Sequence, residues 1–109
     1  MNIPEKVRIG SVDYDIVLTD ENLVCNGQES YGWIDYNYHL IKINKNIQDN
    51  QGQEKTFLHE LIHGIVRERS LDVENSDEEV IVDEIAAGLH QIIRDNPEIF
   101  KEKIMNNKA

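Results

Sequence analysis

The sequence predicts an α+β domain, strands first and helices after. Two hydrophobic periods carry that prediction. Between residues 7 and 44 apolar side chains recur at every second position, and between about 53 and 95 at every third or fourth. A third observation concerns organisation. The 109 residues contain no Pro/Gly/Ser-rich linker and no internal repeat, so a single domain over 1–109 is expected.

From Val7 to Leu18 the set Val7, Ile9, Val12, Tyr14, Ile16, Leu18 alternates around Gly10-Ser11, which predicts one bent strand or a tight hairpin turning there. Residues 19–30 are polar and read as a loop, with a turn at Asn26-Gly27. Tyr31–Asp35 and Leu40–Asn44 read as two strands, and the short link between them makes a hairpin. From about Gln53 to Arg69, Phe57, Leu58, Leu61, Ile62, Ile65 and Val66 take helical spacing. Residues 70–78 form an acidic loop. A second helix is predicted from about Asp77 to Asp95, centred on Ile85 and Leu89 and stopped at Asn96-Pro97, because proline removes a donor and biases the residue before it. Glu98 to Met105 is read as a short third helix.

Composition narrows function. With 39% apolar and 29% charged residues the balance is that of a water-soluble globular chain. Eleven Lys+Arg against 21 Asp+Glu give a net charge of −10, which argues against nucleic-acid partners and anionic membranes. No stretch approaches the ~18 apolar residues of a membrane span. The first residues hold no apolar signal core, and the single Cys25 makes no internal disulfide. A cytoplasmic location is therefore expected. Cys25 is read as a buried small hydrophobe.

Chemistry enters at His59-Glu60-Leu61-Ile62-His63. Two histidines four apart project from one side of a helix, one turn above the other, within reach of one metal ion. Zinc (Zn2+) is the usual occupant of such a pair. Glu60, one residue on, points around the helix toward a water on that metal and suits a general base. A hydrolytic zinc site needs a third protein ligand and an open position. Glu79, Asp83 and Glu84 on the second helix are the candidates. On a helical wheel Glu79 lies at the edge of the apolar stripe, Asp83 lies one turn above it, and Glu84 faces water. Glu79 is thus the predicted third ligand, with Asp83 placed to orient a ligating histidine through its free N–H. His90 stands eleven residues from Glu79, about 16 Å along a helix, too far to share the ion. His39 is expected to be exposed. Tyr36, Tyr38 or His39 could reach over the metal to stabilise an oxyanion. Gly64 inside a helix costs ~1 kcal/mol against alanine, which a close approach of a strand or of substrate at that turn would explain.

These residues resemble a known family. The run Phe57-Leu-His-Glu-Leu-Ile-His-Gly64, the acidic spacer, Glu78-Glu79-Val-Ile-Val-Asp83, Ala86-Ala-Gly-Leu89 and Arg94-Asp-Asn-Pro97 are similar to the ImmA/IrrE-like metallopeptidases, above all their compact phage and mobile-element forms. With the hairpin at Tyr31-Gly-Trp-Ile-Asp35 the likeness covers about two thirds of the chain. In that family, as in gluzincins generally, a glutamate on the helix after the motif is the third zinc ligand, and an Asp or Asn four residues later supports the site. Glu79 followed by Asp83 fits, although Val82 stands where the family has a small residue. Aligning on Ala86 instead puts Asp83 in the ligand slot. The resemblance implies a small antiparallel sheet packed on the two zinc-bearing helices, with the strand beside the cleft pairing an extended peptide.

The expected function is a zinc-dependent peptidase. His59, His63 and Glu79 (or Asp83) would hold the metal, Glu60 would act as base, and a protein substrate would bind as an added strand along Tyr31–Asp35 or Leu40–Asn44. A domain this small has no room for deep specificity pockets, and relatives in the family act on transcriptional repressors, so a regulator is the expected substrate. The alternative is a zinc-stabilised or catalytically latent protein-binding module.

Overall fold

The computed structural model describes residues 1–101. Six strands precede two helices: β1 (Lys6–Ile9), β2 (Val12–Thr19), β3 (Leu23–Cys25), β4 (Gln28–Ser30), β5 (Gly32–Asp35), β6 (Leu40–Asn44), α1 (Asn50–Glu68) and α2 (Glu78–Asp95), followed by a 3-10 turn at Pro97–Phe100. The α+β class therefore holds. The remainder of the predicted Glu98–Met105 helix lies outside the described residues. No described helix is long and apolar enough to cross a membrane.

Alternation builds the sheet. Val7 and Ile9 of β1, Tyr14 and Ile16 of β2, and Ile41 and Ile43 of β6 are buried in one cluster with Phe57, Leu61 and Ile65 of α1 and Ile92 of α2. The first hairpin turns at Gly10-Ser11, where Gly10 adopts φ +62°. The second pairs β5 with β6 antiparallel, Gly32 opposite Ile43 and Asp35 opposite Leu40.

The sheet corrects the expected all-antiparallel arrangement. Its order is β1-β2-β6-β5, and β2 runs parallel to β6, from Asp15 beside Leu40 to Thr19 beside Asn44. Each hairpin contributes its second strand to the seam, and two second strands of hairpins docked this way run in the same direction. Parallel strands require a long connection between them, here supplied by β3, β4 and β5. This order puts β6 inside the sheet and leaves β5 as the edge.

Residues 19–30 are a second correction. They hold a two-stranded hairpin, Leu23 opposite Ser30 and Cys25 opposite Gln28, rather than only a loop. The turn at Asn26-Gly27 is where the sequence places it. Its φ values of 52° and 78° are the paired positive angles of a tight hairpin turn, which Asn-Gly favours. Strands of three residues are too short to carry a period.

α1 begins three residues earlier than expected because Asp49 caps it, accepting from the Gly52 N–H at 2.9 Å. Gly64 faces Ile9 of β1: a Cβ there would lie 2.6 Å from Ile9 Cδ1. The predicted strand approach is thus the reason for that glycine. Asp77 caps α2 through the Val80 N–H at 3.0 Å. α2 is rotated from the predicted orientation. Its buried residues are Gly88 and Ile92, whereas Ile85 and Leu89 are half-buried. A Cβ on Gly88 would overlap Ile65 Cγ2, so the absent side chain is what lets the helices meet. Gln91 holds the other flank, accepting from the Gly10 N–H at 2.7 Å and donating to the Arg8 carbonyl at 3.1 Å. Glu84, read as facing water, is half-buried and accepts from Arg69 Nε at 2.6 Å.

Candidate functional site

Helical spacing places His59 and His63 on the exposed side of α1 and turns Glu60 inward. The two Nε2 atoms lie 3.2 Å apart, with ring centroids separated by 4.8 Å. Two nitrogens at 2.0–2.1 Å from one tetrahedral ion are about 3.3 Å apart, so this donor pair fits zinc. Glu60 is 6% exposed. Burial pushes its carboxyl above the usual carboxylate range, and the positive charge of His59 and His63 pulls it partly back.

Gly32 at the start of β5 is what lets Glu60 sit there. A Cβ on Gly32 would lie 3.2 Å from Glu60 Oε2 and would overlap Thr56 Cγ2. α1 and the β5 edge therefore define one groove. Its upper part, about 290 Å³, is lined by Tyr31, Gly32, Lys55, Thr56, His59 and Glu60. A second part, about 350 Å³, shares Gly32, His59 and Glu60 and adds Cys25, Trp33, Tyr36 and His63. Of the two strands, β5 lines the groove at an edge of the sheet, and β6 is interior.

Of the three aromatic candidates, only Tyr36 lines this groove. It is half-buried, and Arg67 lies 5.1 Å from its ring centroid. Burial and then the Glu60 charge hold its phenol above the ordinary value, with Arg67 acting in the opposite sense. Tyr38 is 82% exposed. His39, expected to be exposed, is half-buried and stacks edge-on against Tyr14 at 5.2 Å. Cys25 is a further correction: it is exposed and lines the groove rather than the core. A lone cysteine in a polar stretch carries no signal from which that placement could be read.

The structure brings His59, Glu60 and His63 together and leaves Glu79 and Asp83 apart from them. Both acidic residues are exposed on α2. Gly88 against Ile65 and Glu84 bonded to Arg69 set α2 antiparallel to α1. By that register Asp83 is level with Ser70, just past the end of α1 and about 10 Å along the axis from His63, and Glu79 about 6 Å further. Among the described residues no three His, Cys, Asp or Glu side chains converge as a metal-holding group. His90 is exposed on α2.

No protein-family model matches this sequence, and comparison with curated proteins and with solved structures likewise gives no match.

Proposed function

We propose that this domain is a zinc-dependent peptidase acting on an extended protein segment. One observation carries the reading: two convergent imidazole nitrogens 3.2 Å apart stand beside a buried carboxylate, in a groove bounded by a sheet edge. Zinc, when bound by His59 and His63, supplies the Lewis acidity that acidifies a water and polarises a carbonyl.

The chain's own groups do the remainder. The free edge of β5 aligns the substrate backbone as an added strand, so the scissile bond crosses the groove beside α1. Glu60 removes a proton from the attacking water and returns it to the leaving amine, and its raised affinity for protons suits both halves of that task. The Tyr36 hydroxyl, kept protonated by burial, is the group in the groove able to donate to a developing oxyanion.

Glu60→Gln is the first test. It keeps the shape and the zinc and removes the base, so cleavage of an unfolded protein library, read as new N-termini, should fall by roughly 10²–10⁴-fold. Zinc content is followed in parallel by elemental mass spectrometry. Cleavage by Glu60→Gln at the wild-type rate overturns the mechanism. Wild-type protein that holds zinc but cleaves nothing supports the docking-module alternative. A second test concerns the ligand set. For Glu79 or Asp83 to join the ion, α2 must move along α1 toward His63. In the observed arrangement Glu79→Ala and Asp83→Ala leave zinc stoichiometry unchanged, whereas His59→Ala and His63→Ala abolish it. Loss of zinc from either acidic variant would instead show that α2 repositions around the metal.

A further inference from the structure

The outer face of α2 carries an apolar stripe that no described element covers. Val82, Ala86, Leu89 and Ile93 recur at intervals of four, three and four residues, the spacing of a helix–helix seam. Val82 is 53% and Ile93 48% exposed. Ala86 is exposed too, while Leu89 is only partly covered by the core. The next positions of the repeat outward, Glu79 and Asn96, are polar and bound the apolar stretch. Asp83 and His90, each one residue beyond a stripe position, line one border of it.

Charge is distributed unevenly along the same helix. Its first half carries Glu78, Glu79, Asp83 and Glu84, and its second half carries His90, Arg94 and Asp95. Among the described residues, Arg94 has no ion-pair partner, and neither do Glu79 and Asp83. A second helix lying parallel on this stripe would set acid against acid. One lying antiparallel would set the acidic half against Arg94 and His90. α2 itself meets those terms, with an acidic first half and His90 and Arg94 in the second.

We infer that the α2 stripe is a self-association surface, taking the α2 of a second copy of this chain across a twofold axis near Ala87-Gly88. In that pairing Val82 meets the partner's Ile93, and Ala86 meets the partner's Leu89. Asp83 then borders the partner's His90, and Glu79 comes level with the partner's Arg94. The contact is isologous, so each pair occurs twice and the assembly closes as a dimer. A single helix pair buries less than a standard interface, which makes the dimer weak. The surface lies on α2 and uses none of His59, Glu60 or His63, so it stands or falls independently of the peptidase reading.

Sedimentation equilibrium across low to high micromolar concentrations tests it on the untagged protein. Wild type should pass from monomer to dimer over that range and go no further. Ile93→Glu and, separately, Val82→Lys should remain monomeric with unchanged circular dichroism. Asp83→Lys should weaken the dimer about tenfold, and adding His90→Glu should restore it. A wild type that stays monomeric throughout overturns the inference, as does a dimer that survives both stripe variants. Failure of the double exchange to restore association overturns the antiparallel pairing.

Discussion

At Gly32 the backbone of β5 comes so near α1 that no side chain fits. The position a Cβ would occupy lies 3.3 Å from Glu60 Cγ and overlaps Thr56 Cγ2. Its backbone φ is not in the left-handed region, so alanine would be tolerated locally and resisted only by the helix opposite. Gly32→Ala must therefore push α1 away from the sheet edge at the very residue assigned as base. The expected cost is about 1–3 kcal/mol by chemical denaturation, as for other overpacked sites. Any peptidase activity should fall further than that stability loss explains, because the carboxylate is displaced. The three motif residues are legible in sequence because intervals of one and four on a helix determine where side chains point, whatever the rest of the chain does. Tyr36 is legible only as one of three aromatic candidates, and Gly32 and Cys25 are not legible as groove residues, because they reach the groove only through strand pairing between distant segments.

The helices show how far periodicity goes and where it fails. Asp77 stands where the second helix is expected to begin, and α2 ends at Asp95 before Asn96-Pro97, as the sequence indicates, whereas Asp49 starts α1 three residues ahead of its apolar period. The rotation of α2 is another matter. Reading its face from side-chain hydrophobicity centres the stripe on Ile85 and Leu89 and gives glycine no weight. The structure instead turns the bare backbone of Gly88 to Ile65, with Gln91 bonded to β1. Sorting Glu79, Asp83 and Glu84 by that wheel consequently sends the wrong carboxylate to solvent. Gly88→Ala tests the contact. Alanine is the better helix former by ~1 kcal/mol, so a purely local account expects stabilisation. Overlap with Ile65 predicts the opposite, a net loss of about 1–2 kcal/mol, read from the denaturation midpoint. The paired variant Gly88→Ala/Ile65→Ala, which removes the overlapped Cγ2, should cost less than the sum of its two single variants.

Across the whole molecule, one polar contact ties the sheet to the far end of α1. Tyr14 is fully buried in the core, yet its hydroxyl donates to Glu68 Oε2 at 2.6 Å. The mixed sheet order explains why this could not be foreseen. β2 sits in the interior of the sheet only because β6 pairs along it in parallel, and the sequence reveals the two hairpins but not the seam between them. Burial, and after it the bond to Glu68 and that carboxylate's charge, raise the Tyr14 phenol well above its ordinary value. The sign of the pH dependence follows. A raised folded-state pKa means that the neutral phenol is favoured by folding, so the contribution is complete below the unfolded value near 10 and is lost as pH climbs above it. Urea denaturation of wild type should therefore show a stability that falls beyond about pH 10 by up to ~1.4 kcal/mol per pH unit from this group. Tyr14→Phe removes both the bond and the titration. It should be less stable at neutral pH by about 1–2 kcal/mol, and the gap to wild type should close as the solution becomes alkaline. A gap that stays constant to the highest pH would mean that the hydroxyl is not held neutral by this site.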